Sequence, residues 1–253
     1  MKGPHKHQKY TIWMVVKSQL KYIKSLQQKK YRTQHNRFVA EGLKTVRELL
    51  LAGWKAELLF ATEEGISEEV SADAQLISAR QMSQISSFKS PSPVLGVFEI
   101  PPPRKVDFAD WVLALDKVRD PGNLGTIIRL CDWFGISHLV CSEDTVDAFN
   151  PKVLQATMGS IARVHIHYTN LVAFMEDADV RVYGAFMEGK SIYGSTLPAK
   201  GILVMGNEAN GISREVIKII EEKVSIPRYG TSAAESLNVA TATAILLNEI
   251  RRA

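Results

Sequence analysis

Three polar stretches carry the groups that could do chemistry. The first is Asp120-Pro121-Gly122-Asn123-Leu124-Gly125, with Arg129 four residues further on. The second is Gly206-Asn207-Glu208, inside GILVMGNEANG at 201–211. The third is Ser236-Leu237-Asn238, inside a run from Ser225 to Ile250. Together they offer amides, a hydroxyl, a carboxylate and a guanidinium, which orient polar substrates and hold anions. A turn that opens a helix presents backbone N–H groups to an anion. Arg129, one turn inside a helix expected over 126–134, is placed to point back at that turn. Taken singly, each stretch also reads as plain structure: a turn with a surface arginine, an ion-pair partner, a helix cap. Together at the strand ends of one sheet they read as a site.

Other chemistries are argued against by what is missing. The Asp120–Gly125 stretch is not a dinucleotide fingerprint, since G-x-G-x-x-G is absent, and not a P-loop, since no Gly-Lys-Ser/Thr follows it; no G-x-S-x-G appears. The six histidines are scattered, and His165 and His167 alternate on one strand without a cysteine or carboxylate at ligand spacing, so no metal is expected.

The elements that must position these stretches follow from periodicity. Ile202 to Met205 has the length and branching of a buried strand, ending at Gly206. Ser225-Ile226-Pro227 is a second strand end, and Pro227 stops it donating further. Ser236 is the expected N-cap of a helix through Ile250. Upstream, strands are expected at 111–115, 138–141, 164–167 and 182–186, and helices at 126–134, 151–158 and 171–176. That alternation means a largely parallel sheet with helices on both faces, and ligands bind at the strand ends of such sheets.

Before residue 101 a smaller α/β unit is expected. It has a basic helix over 17–32, a strand into a turn at 36–42, a helix at 43–51 and a last strand at 94–100. Pro101-Pro102-Pro103 cannot continue a strand, so 101–106 reads as a semi-rigid linker and 107–253 as the second domain. Residues 1–13 read as a disordered extension, with Met14 as an alternative start, and 14–100 as the first domain.

Charge separates the two parts. Residues 1–50 hold twelve Lys/Arg against two Asp/Glu, a net of +10, while the rest holds 19 against 25, a net of −6. A basic end on a mildly acidic body points to a polyanionic partner such as nucleic acid, with a solvated basic tail as the alternative. Cys131 and Cys141 make no disulfide framework and read as buried thiols in a reducing cytoplasm. No apolar run approaches the ~20 residues a membrane helix needs.

Taken together, Asp116 to Gly135 (DKVRDPGNLGTIIRLCDWFG), Ile202 to Ser213 (ILVMGNEANGIS) and Ser225 to Glu249 resemble, in order, the three signature motifs of the SpoU/TrmH family of RNA 2′-O-ribose methyltransferases. Asn36 to Leu50 is similar to the small, ribosomal-protein-like α/β substrate-binding domain of many members. The resemblance implies a mostly parallel sheet with a C-terminal deep trefoil knot, a homodimer and S-adenosyl-L-methionine held in the knot. It implies cofactor contacts at Met205, Gly206, Ile226, Leu237 and Asn238. It places catalytic positions at Asn123, Arg129, Glu208, Ser236 and Asn238. The loop Gly230 to Ser236 is about two residues longer than the family spacing.

The implied reaction is in-line methyl transfer to a ribose 2′-oxygen, on ribosomal RNA in preference to transfer RNA. A transfer RNA methyltransferase, a non-catalytic RNA-binding assembly factor and a small-molecule α/β enzyme are the alternatives. Arg129 stays protonated at any ordinary pH, so its expected role is electrostatic. The basic first domain would bind phosphates, with Tyr31 free to stack on a base and Phe38 expected in the core.

Overall fold

The structure is a computed structural model. It describes residues 13–71, 73–230 and 236–252. Residues 1–12 of the expected 1–13 extension, and residues 231–235 of the longer loop from Gly230 to Ser236, lie outside them. Contacts divide the chain into two compact units between Pro101 and Pro102.

The first unit runs α1 (Lys17–Ser25), α2 (Lys29–His35), β1 (Arg37–Glu41), α3 (Leu43–Leu51), β2 (Ala56–Ala61), α4 (Glu64–Val70), β3 (Gln75–Leu76), α5 (Ala79–Ile85) and β4 (Val94–Glu99). One helix was expected over 17–32, and the structure has two. The reason is Arg32, which is buried and donates from Nη1 to the carbonyls of Leu26 (2.9 Å) and Gln27 (2.8 Å). It thereby satisfies acceptors that the end of α1 leaves open. α4 was not foreseen.

The sheet order is β1-β4-β2-β3, with β4 antiparallel to both neighbours. Its core includes fully buried Phe38, Phe60 and Phe98, with Phe38 stacked on Phe98 at 5.8 Å. Among the described residues of both units, no helix is long and apolar enough to cross a membrane.

The second unit runs β5 (Val112–Leu115), α6 (Pro121–Trp133), β6 (His138–Cys141), α7 (Pro151–Thr157), β7 (His165–Tyr168), α8 (Leu171–Glu176), β8 (Val182–Ser191), β9 (Ile202–Met205), α9 (Arg214–Ile217), β10 (Glu222–Ser225) and α10 (Val239–Arg252). Six strands lie in the order β10-β8-β9-β5-β6-β7, every pair parallel. β5 and β9 are apolar throughout and fully buried, as strands covered on both faces must be.

The chain moves outward from β5 through β6 and β7, then crosses to β8. β9 is inserted between β8 and β5, a topological switch point. Leu115 and Met205 pair as the last residues of their strands, so the loops after β5 and β9 leave the sheet side by side. β8 is longer than expected. Its far half, Phe186 onward, is partly polar and exposed, and shows no apolar run.

Candidate functional site

The stretch after β5 was expected to be a loop up to Gly125. It is instead the first turn of α6, because Asp120 caps the helix and Pro121 occupies its first position. The Asp120 carboxylate accepts the Asn123 N–H at 2.8 Å, so it occupies the place where an anion was expected. Arg129 consequently lies about two turns into the helix, not one. It is exposed, on a stripe with Gly122, Thr126 and Trp133, and none of the described residues bonds its guanidinium.

Gly206 begins a tight turn in which Asn207 and Gly211 bond each other through N–H and carbonyl, 2.9 Å each way. A Cβ on Gly206 would collide with the backbone of Gly211 and Ile212, so glycine is required there for packing. Asn207 ties the turn to the loop after β5 by donating to the Lys117 carbonyl at 2.8 Å. Lys117 holds a left-handed conformation (φ 58) to present that carbonyl. Asp116, buried at the end of β5, accepts the Ser213 N–H at 2.6 Å. Asp116 and the Asn207–Lys117 tie were not assigned from sequence. Their signal was a polar residue within two positions of the end of each buried strand.

The last helix starts at Val239, two residues later than expected, and its cap is Asn238, not Ser236. Asn238 Oδ1 accepts the N–H groups of Ala240 (2.9 Å) and Thr241 (3.3 Å). That contact fixes the polarity of everything attached to it. With its oxygen committed to the helix, Asn238 turns Nδ2 toward Asn123 Oδ1, at 2.9 Å. Asn123 must then present Nδ2 to Glu208 Oε1, at 2.6 Å. The other carboxylate oxygen of Glu208 lies 3.4 Å from Asn207 Nδ2. One residue from each polar stretch thus joins a single directed chain, and a helix N-terminus orients two amides against a carboxylate.

Beside this chain lies a cavity of about 690 Å³. Four of the five expected cofactor residues line it: Met205, Gly206, Ile226 and Leu237. Glu208 and Ser236 line it too. Asn123, Asn238 and Arg129 do not. The volume falls in the range of small-molecule sites. Apolar walls with main-chain edges and a few polar groups suit a nucleoside with an amino-acid tail, so the residues present fit S-adenosylmethionine.

The structure also brings His138 of β6 beside His165 and His167 of β7. His138 Nδ1 lies 3.1 Å from His167 Nε2, and Arg104 Nη1 lies 3.4 Å from His165 Nε2. The Asp107 N–H donates to His138 Nε2 at 3.3 Å. Burial holds all three below the ordinary imidazole value, His167 down to about 4. Among the described residues no three side chains are placed to hold a metal ion.

The model of the SpoU rRNA methylase family matches residues 110–248, which contain all three stretches. The chain belongs to the SpoU rRNA methylase family. A second model, an MRM3-like substrate binding domain, matches residues 17–96. The chain is 33% identical over 235 residues to the 23S rRNA (guanosine(2553)-2′-O)-methyltransferase RlmP of Bacillus subtilis, covering 90% of this chain and 94% of that protein. Its structure is similar to that of a TrmH-family protein from Porphyromonas gingivalis (39% identity, TM-score 0.87, 95% of this chain and 99% of that one). It is also similar to an AdoMet-bound rRNA methyltransferase from Sinorhizobium meliloti (34%, 0.81, 92% and 94%).

Proposed function

We propose that this chain transfers a methyl group from S-adenosylmethionine to a ribose 2′-hydroxyl of ribosomal RNA. The observation that carries the reading is the Asn238–Asn123–Glu208 chain, which joins the three family motifs beside one cavity. Met205, Gly206, Ile226, Leu237 and Asn238 would hold the cofactor, which when bound supplies a methyl on a cationic sulfur.

The protein's own part is orientation and electrostatics. Asn123, held at both ends, and Glu208 fix the polar wall where the ribose must lie. Ser236, at the cavity edge, offers a hydroxyl to the same space. Arg129 holds the target phosphate, and its positive charge lowers the pKa of the 2′-hydroxyl. The hydroxyl proton passes to water or to the phosphate. Positioning of this kind can supply several kcal/mol of the barrier.

In the first unit, Lys17, Lys21, Lys24, Lys29 and Lys30 are exposed on α1 and α2. We read residues 14–100 as the RNA-binding domain, 101–106 as a linker and 107–253 as the methyltransferase domain. The insertion of β9 and the position of β10 outside β8 support a trefoil knot formed by the C-terminal segment. We read the protein as a cytoplasmic homodimer with exposed Trp133 of α6 in the contact.

The test is transfer of a radioactive methyl group from S-adenosylmethionine to purified ribosomal and transfer RNA, followed by mapping of 2′-O-methylation. Label on ribosomal RNA, abolished by Arg129→Lys at every pH, is expected. Rescue of Arg129→Lys at high pH would make residue 129 a base instead. Label on transfer RNA alone would redirect the substrate. Tight RNA binding with no transfer would make the protein an assembly factor.

A further inference from the structure

β8 leaves its neighbour and comes back. It pairs with β10 at Tyr183 and Gly184, then again at Lys190 and Ser191, while β10 advances only from Lys223 to Val224. Residues 185–189 therefore form a detour with no register partner in β10. Its return is pinned. A Cβ on Gly189 would lie 2.7 Å from the Lys223 carbonyl oxygen, so only glycine allows this approach. Ser225 Oγ donates to the Gly189 carbonyl at 3.0 Å. Lys223 Nζ sits 4.9 Å from the centre of the Phe186 ring. An extra segment in one strand re-aims side chains, and such features gather at functional sites.

Here the re-aimed residues are Ala185 to Glu188, and all four line the 690 Å³ cavity. Two described carboxylates line that cavity, Glu188 and Glu208. Glu208 is engaged by Asn123 and Asn207. Glu188 is exposed and has no hydrogen-bond or ion-pair partner among the described residues.

We infer that Glu188 accepts the vicinal ribose hydroxyls of the adenosine half of the methyl donor, and that the detour sets its position. The inference rests on the donor assigned in the preceding subsection. A ribose diol presents two adjacent donors, and an ionised carboxylate presents two acceptors. An acidic side chain takes this role toward ribose in the dinucleotide-binding folds. The remaining described lining offers apolar groups, one side-chain amide (Asn207), one hydroxyl (Ser236) and a lysine (Lys223), none of which presents two acceptors to a diol.

Calorimetry separates this role from simple attraction between a carboxylate and a sulfonium. The ligands are S-adenosylmethionine, uncharged-sulfur S-adenosylhomocysteine and 2′-deoxy-S-adenosylhomocysteine, titrated into the full chain and into Glu188→Gln. The variant should weaken the first two by a similar factor, about tenfold. It should change binding of the 2′-deoxy compound much less, with an unaltered melting temperature. Equal affinities in both proteins would overturn the inference. So would a loss confined to the cationic ligand. If the unaltered protein binds none of the three, the methyl-donor reading fails, and this one with it.

Discussion

Each unit has a glutamate that gathers distant loops, and the two are built differently. Glu41 ends β1 in the first unit and is buried. It accepts from Ser86 Oγ (2.7 Å), the Ser92 N–H (2.9 Å) and the Ser87 N–H (3.3 Å). Glu208 follows β9 in the second unit, is exposed, and its described partners are side-chain amides. The first carboxylate is saturated largely by main chain and away from water, so it is scaffold. The second is held by groups that can turn, beside a cavity, with lone pairs open to solvent. A carboxylate's place in the chain reveals little; what it accepts from separates structure from function.

That contrast can be broken. Glu41→Ala leaves buried donors unpaired and should destabilise the first unit by about 2–4 kcal/mol. Denaturant titration would read this, and S-adenosylmethionine affinity should stay unchanged. Asn123→Ala should do the reverse. It cuts the chain between Asn238 and Glu208, lowering methyl transfer about a hundredfold or more, while stability moves by no more than about 1 kcal/mol. If Asn123→Ala unfolds the protein and Glu41→Ala does not, the contrast is wrong.

The histidine cluster gives a smaller, pH-dependent effect. Unfolded imidazoles take up protons near 6.5, and the folded ones only lower, His167 near 4. Between those values the unfolded chain binds more protons. The contribution is therefore present above about pH 6.5 and lost as pH falls toward 4. Melting temperatures from pH 7.5 to 4.5 should decline in this window, and less so for His167→Gln. Smallest of all, Lys117→Gly relieves a left-handed backbone and should raise stability by roughly 0.5 kcal/mol, visible as a shift in the denaturation midpoint.

Much of this was legible in the sequence. The strand runs at 112–115 and 202–205 are uniformly apolar, and 139–141 is apolar after His138; burial on both faces demands such runs of a parallel strand. The helix at 121–133 begins five residues before the expected 126, because its glycines and proline have the local composition of a loop. A capping aspartate followed by proline is a helix start all the same. The split at Leu26 was hidden because its cause, Arg32, acts by burying a charge that the local pattern places on the surface. The helix at 64–70 has too few apolar positions to announce itself.

Local chemistry decided the strands, the basic character of the first fifty residues and the motif residues themselves. Residue types and their spacing are enough for those, and enough for the family. Tertiary structure alone decided that Asn238 rather than Ser236 caps the last helix. The same cap sets the direction of both amides leading to Glu208. Asn123 and Asn238 stand 115 positions apart, and no periodicity encodes a bond over that span. The detour that carries Glu188 was equally invisible, because a strand shows its excursion only against the neighbour it leaves.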